Sequence, residues 1–441
     1  MSALRRVRRL VVEHPGMRAT SRHARALAPL DSVCSLGPRG VYMGDMLYGG
    51  GGFWYDPWEC YARQLRTGVT DPDLMVWGRK GRGKSATMKV YLRRQWCFGR
   101  RIRVIDVHTG TSRDEGEYTA LMRDLDGTVV RLSRTNGVCL NPLSNEEDRH
   151  RLLRAIARAV LPRPLTDREP AILNTTLDWV CTSTSEPTLP QVVDALLHPS
   201  EWTAGKLATT QTRLRSMAQG VAYALQPLCE GDLRGMFDGP TTEGIDFDAQ
   251  ALSIDLSDVK DAESLGILMS CATAFLQATM NRQWRRHEAI NAELVRHGRA
   301  PLPEPKTILL VDESYRILSV PGMGDWLQHN FKVSRKIGQQ NIAIVHRPSD
   351  LSTSGDDGSR LAKMAEGLVQ DCQTFALFYL ESDALDETAE LLSLTRAERE
   401  VISTLGPWQA LWRVGHGRYV VQTVLGGDDE QITNTNRGML G

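Results

Sequence analysis

Short apolar runs recur along the chain, and most end in a polar residue or a glycine. Leu74 to Trp77, Ile102 to Asp106, Thr128 to Leu132, Ala251 to Asp255, Thr307 to Asp312, Asn341 to Val345 and Thr374 to Tyr379 read as strands. Helix-like text separates several of them, from Ala86 to Trp96 and from Ala262 to about Arg286. Alternation of this kind predicts an α/β fold with a mostly parallel central sheet covered on both faces. Ahead of it, the segments around Val41 and Phe53 flank Gly49 to Gly52 and predict a hairpin. Leu411 to Val414 and Arg418 to Leu425, around Gly415-His416-Gly417, predict a closing hairpin.

The alternation breaks between about 145 and 235. Ser144 to Glu147 and Thr166 to Glu169 have the form of capping boxes. Leu152, Ile156 and Val160 repeat at every fourth position, and so do Leu173, Leu177 and Cys181, as on amphipathic helices. No strand-like run interrupts them, so an inserted all-helical subdomain is expected. The division predicted is a basic arm over 1–40, a first core part over 41–144 and a helical insertion over 145–235. A second core part over 236–427 and a tail over 428–441 complete it. The arm holds eight arginines against Glu13 and Asp31. It reads either as a segment touching DNA, lipid headgroups or another subunit, or as a solvated tail.

Composition narrows the classes. Hydrophobic residues are 41% and charged residues 24% of 441, as in soluble globular proteins. Basic and acidic groups balance at 53 each, which excludes a global field that draws in nucleic acid and leaves only a local patch or pore. The eight cysteines show no paired spacing, which argues for reduced thiols and against a zinc site or disulfide framework. No apolar run reaches the ~18 residues of a membrane span. Leu10-Val11-Val12 is too short for a signal-peptide core. A cytoplasmic location is expected, with any membrane contact made through a partner.

Gly78-Arg79-Lys80-Gly81-Arg82-Gly83-Lys84-Ser85 is a complete phosphate loop, preceded by a strand and followed by a helix that Ala86 opens. Its glycines let backbone amides turn towards phosphate oxygens, and the helix adds about half a positive charge at its N-terminus. Lys84 would reach the β- and γ-phosphates of ATP, and the Ser85 hydroxyl would bind Mg²⁺. Arg79, Lys80 and Arg82 either help hold a triphosphate or face solvent. Such a loop needs an acid at a neighbouring strand end to hold Mg²⁺, and Asp312 supplies it. Glu313, one residue on, is placed to polarise the attacking water. His346, at the tip of the strand ending in Val345, is a candidate γ-phosphate sensor. Arg335, Arg347 and Arg316 are candidates for an arginine supplied to another subunit's site. Trp54, Tyr55 and Trp58 could face an adenine ring, although aromatic residues beside a core strand usually pack inward.

An ordered series of motifs resembles the HerA–FtsK group of RecA-like motor ATPases. It comprises Asp56-Pro57-Trp58, Gly78 to Ser85, Ile105-Asp106 with Gly116-Glu117-Tyr118, and Leu140-Asn141-Pro142. Phe237-Asp238-Gly239, Asp312 to Arg316, and Arg335-Lys336 leading into Val345 to Pro348 complete it. The chain looks most like the conjugation and type IV secretion ATPases of actinobacterial mobile elements. The resemblance implies a homo-hexameric ring with ATP at subunit boundaries and an arginine given by a neighbour. It also implies force passed to DNA or to channel proteins at the inner membrane. Two departures stand out: relatives often carry Gln where this chain has His346, and a large N-terminal docking domain is not seen. The expected function is a cytoplasmic ATPase that energises conjugative DNA transfer or type IV secretion. The alternatives are a double-stranded DNA translocase or coupling protein of the FtsK type, and an assembly switch that scarcely hydrolyses ATP. The pair Asp312-Glu313 argues against the switch.

Overall fold

The computed structural model describes residues 35–433 apart from 109–114, 134–136, 162, 260, 315, 317–330, 332, 333, 346–366 and 368. Most of the predicted basic arm, together with His346 and Arg347, lies outside the described residues.

Eleven strands share one sheet. In chain order they are β1 (Val41–Met46), β2 (Gly52–Tyr55), β3 (Leu74–Trp77), β4 (Arg101–Asp106), β5 (Thr128–Arg131) and β6 (Ala251–Asp255). Then come β7 (Thr307–Val311), β8 (Gln339–Val345), β9 (Thr374–Leu377), β10 (Gln409–Val414) and β11 (Gly417–Thr423). Their spatial order is β2-β1-β11-β10-β9-β3-β8-β7-β4-β6-β5. From β9 to β5 every pairing is parallel, whereas β10, β11, β1 and β2 extend the sheet antiparallel.

Burial explains the strands. Every residue of β3, β6, β7, β8 and β9 is buried, as expected where helices cover both faces of a parallel sheet. Successive residues of β3 serve opposite faces. Leu74 and Val76 join Met88, Tyr91 and Leu92 of the helix Lys84–Cys97. Met75 and Trp77 pack instead with Leu385 of the helix Ser382–Leu391 and Ile402 of the helix Arg396–Thr404.

Between β5 and β6 the described residues form helices and no strand. The apolar stripes seen in the sequence face inward: Ile156, Leu173 and Leu177 pack with Leu268 and Phe275 of the helix Ala262–Arg296, with Val160 and Cys181 partly buried beside them. Leu152 packs with Ala274 and Ala278 of the same helix. The two expected capping boxes are corrected. The first helix opens at Arg149 after Asp148, and no cap is formed by Ser144, because residues from Asn145 turn first. The second opens at Glu169, although Glu169 does reach back to the Thr166 N–H at 2.7 Å. Complete boxes occur at Thr188 with Gln191 and at Thr395 with Glu398.

The helix Ala262–Arg296 has 35 residues and so spans about 52 Å. The sequence placed its end near Arg286. Its continuation to Arg296 is braced by Asn291, which exchanges two hydrogen bonds with the Leu302 backbone at 3.1 and 2.8 Å.

Candidate nucleotide site

Strand register sets the site. Trp77 pairs with Val345 and Leu377, Val311 with Ala343, and Asp106 with Asp255. The C-terminal ends of these parallel strands therefore line one edge, where open α/β sheets bind ligands. Gly78 leaves that edge from β3, Asp312 from β7, Asp106 from β4 and Asp255 from β6.

The phosphate loop needs its glycines for two different reasons. Gly78 has φ 149°, and a Cβ there would lie 2.5 Å from the Phe378 Cβ. Gly83, at φ 95°, is the N-cap of the helix Lys84–Cys97 and supplies no side-chain acceptor. The first amides of that helix are left facing the loop, as an anion would require. The loop is pinned at both ends, by Arg79 N–H to Tyr379 O at 2.9 Å and by Trp408 N–H to Arg82 O at 3.1 Å.

Lys84 is only 4% exposed, and its Nζ donates to Gly78 O at 2.5 Å and Arg79 O at 3.1 Å. Burial pushes its ammonium down to about 8, against the attraction of Asp312, Glu117 and Glu313. A polyphosphate in the loop would offset that burial. Two of the loop's other cations turn to their own chain. Arg79 pairs with Glu381, and the Arg82 guanidinium lies 4.0 Å from the centroid of the Tyr379 ring.

Asp312 is buried, and the Glu313 N–H donates to its Oδ1 at 2.9 Å. Glu313 itself sits at φ 47°, a conformation uncommon for a non-glycine residue, and its carboxylate accepts Arg316 Nε at 2.6 Å. That bond directs Arg316 to Glu313 of its own chain. One expectation needs correction: β8 lies between β3 and β7, so the acids stand two strands from the phosphate loop and not on the adjoining one. They still act on Lys84 across that gap.

Arg335 belongs to the short turn Arg335–Ile337 that enters β8. It thus lies at the opposite end of that seven-residue strand, about 20 Å from the edge that carries Gly78. The structure therefore does not bring Arg335 together with Lys84 and Glu313 of the same chain.

A further cluster escaped the sequence reading. Lys89, fully buried on the phosphate-loop helix, pairs with Glu117 at 3.2 Å, and His108 lies 3.6 Å from the same carboxylate. The Glu117 carboxylate also attracts the Lys84 ammonium, and the motif Gly116-Glu117-Tyr118 was its only signal. Next to it, Asp106 accepts the Tyr118 N–H at 2.7 Å. Burial, with Asp255, Asp312 and Glu117 adding to it, holds the Asp106 carboxyl well above the usual range. Of the early aromatic residues, Tyr55 packs inward against Tyr91 and Trp412, and Trp58 lies under Arg100.

No protein-family model matches the sequence, and no curated protein matches it. Solved structures match it in fold. VirB4 of Thermoanaerobacter pseudethanolicus, 19% identical, superimposes with a TM-score of 0.66 over 90% of this chain and 99% of its own. The bacterial conjugative coupling protein TrwB, 15% identical in its unbound form, gives 0.54 over 82% of this chain and 87% of its own. TrwB in complex with ADP and Mg²⁺, also 15% identical, gives 0.53 over the same shares. The chain has the RecA-like P-loop NTPase fold of these structures.

Proposed function

We propose that this chain is an ATPase motor that hydrolyses ATP to ADP and phosphate and drives conjugative DNA transfer or type IV secretion. One observation carries the reading: a buried lysine of a complete phosphate loop lies within electrostatic reach of an acid pair at a nearby strand end. Loop amides from Gly78 to Ala86 and the Lys84 ammonium hold the phosphates. The Ser85 hydroxyl and the Asp312 carboxylate are hard oxygen donors of the kind Mg²⁺ takes. When bound there, the ion would neutralise phosphate charge. Glu313 orients a water and accepts its proton, and Arg316 fixes the position of that carboxylate. His346 serves as the γ-phosphate sensor.

An arginine from an adjacent copy completes the site, drawn from Arg335 or Arg347, and such residues raise rates by ~10³ to 10⁵. The position of Arg335 at the far edge suits service to another copy and not to its own. The assembly in this reading is a homo-hexameric ring working on the cytoplasmic side of the inner membrane, with channel proteins and DNA as partners; the family resemblance supports it. The test is ATP turnover by the purified chain, alone and with linear or single-stranded DNA, beside particle images taken with a nonhydrolysable analogue. Turnover and rings are expected. Strong stimulation by duplex DNA would favour the translocase or coupling-protein alternative, and absence of turnover with and without DNA would sink the motor reading.

A further inference from the structure

The groups assigned so far hold phosphates, and none of them recognises the base of a nucleotide. Trp408, between the helix Arg396–Thr404 and β10, has φ 66°, in the left-handed region that a bulky residue seldom enters. Such outliers persist only where the surroundings over-determine them, and they gather at ligand sites. Hydrogen bonds fix this one. The Trp408 N–H donates to Arg82 O of the phosphate loop at 3.1 Å, and its carbonyl accepts the Thr423 N–H at 2.9 Å. The turn that contains it, Gly406 to Gln409, closes through Gln409 N–H to Gly406 O at 3.2 Å and Gly406 N–H to Gln409 Oε1 at 2.8 Å.

The indole lies alongside the loop. A Cβ on Gly83 would meet the Trp408 backbone at 3.3 Å and its ring Cδ2 at 3.4 Å. Trp408 is half-buried, whereas Trp77 and Trp412 of nearby strands are wholly enclosed. Position gives it meaning. β9 and β10 flank β3 on the side away from β8 and β7, so Trp408 and Glu313 lie on opposite sides of the loop. A triphosphate whose terminal phosphate meets Glu313 has its nucleoside end towards Trp408. Tyr55 cannot take this place, because its hydroxyl meets Gln340 near the start of β8, at the other edge.

We propose that Trp408 is the platform on which the nucleotide's purine base stacks, an inference that rests on the nucleotide reading above. The test compares binding of ATP and of inorganic tripolyphosphate to the parent, Trp408→Gly and Trp408→Phe, each with Mg²⁺. Glycine adopts a positive φ freely, so the variant removes the ring without adding strain. Trp408→Gly should bind ATP roughly five- to hundredfold more weakly while tripolyphosphate binding stays within about twofold, and Trp408→Phe should recover most of the loss. Unchanged ATP affinity in Trp408→Gly, or an equal loss for both ligands, would overturn the assignment. Failure of the parent to bind either ATP or tripolyphosphate would instead overturn the nucleotide reading itself.

Discussion

Asp106 and Asp255 end adjacent parallel strands in register, and the backbone of Gly116 is wedged between their carboxylates. Asp255 Oδ2 accepts the Gly116 N–H at 3.0 Å, and a Cβ on Gly116 would stand 2.4 Å from Asp106 Oδ2. The space is closed by sterics and not by backbone torsion, since Gly116 has no positive φ. Gly116→Ala should therefore cost about 1–3 kcal/mol, as overpacking does. A urea titration that finds the variant as stable as the parent would show that the two acids can separate freely.

Lys84 and Glu313 are expected to fail differently. Lys84→Ala removes the proposed phosphate anchor and should abolish both ATP binding and turnover. Glu313→Gln keeps the shape and should bind ATP as the parent does, while turnover falls about 10²-fold or more. Equilibrium binding beside single-turnover kinetics reads both. Equal turnover in parent and variants would remove Glu313 from the chemistry.

Asp73, at the foot of the phosphate-loop strand, gives a pH signature at the sheet edge opposite the loop. Its Oδ1 accepts the Asn341 N–H at 2.7 Å and its Oδ2 the Ser334 hydroxyl at 3.0 Å. Burial, reinforced by Asp71, holds its carboxyl well above the usual range. The folded chain thus keeps a proton that the unfolded chain releases near pH 4, and this contribution to stability declines as pH rises above that value. Asp73→Asn should erase the decline, so its stability relative to the parent should grow as pH rises above about 5, until the buried carboxyl itself titrates. Urea midpoints across that range test it, and a difference constant with pH would refute it.

Asp429 ties the end of the described chain to the phosphate-loop helix. Its carboxylate, almost fully buried, accepts Arg94 at 2.8 Å, Arg93 at 3.1 Å and the Gly426 N–H at 2.7 Å. Both arginines are partly exposed and hold other partners, Arg93 to Asp124 and Arg94 to Val424 O. Asp429→Ala should therefore cost about 2 kcal/mol, less than a fully buried pair broken on one side. Thermal or urea unfolding measures it.

Much of this was legible in the sequence because buried parallel strands are written as unbroken apolar runs. Leu74 to Trp77 and Thr307 to Val311 could be read without knowing what lies beside them. Strand order could not, since pairing between segments hundreds of residues apart leaves no local mark, and β8 entered between β3 and β7 unannounced. The last turns of the helix ending at Arg296 carry no apolar stripe, because a loop and not the core supports them. Ser144 resembled a cap because a box motif records residue types but not the turn that Asn145 makes first. Trp408 went unnoticed because its value lies in the backbone conformation and in proximity to Gly83, neither of which a one-dimensional pattern contains.

Ser314 grips Ile344 O through both its N–H and its hydroxyl, at 3.2 and 3.3 Å, so the turn bearing Glu313 is lashed to the top of β8. At the bottom, Asn341 clasps Asp73 and the turn through Arg335 begins. The acid turn and the turn through Arg335 are thus joined by one buried seven-residue strand, so a substitution that loosens either anchor of β8 would bear on both rims of the sheet.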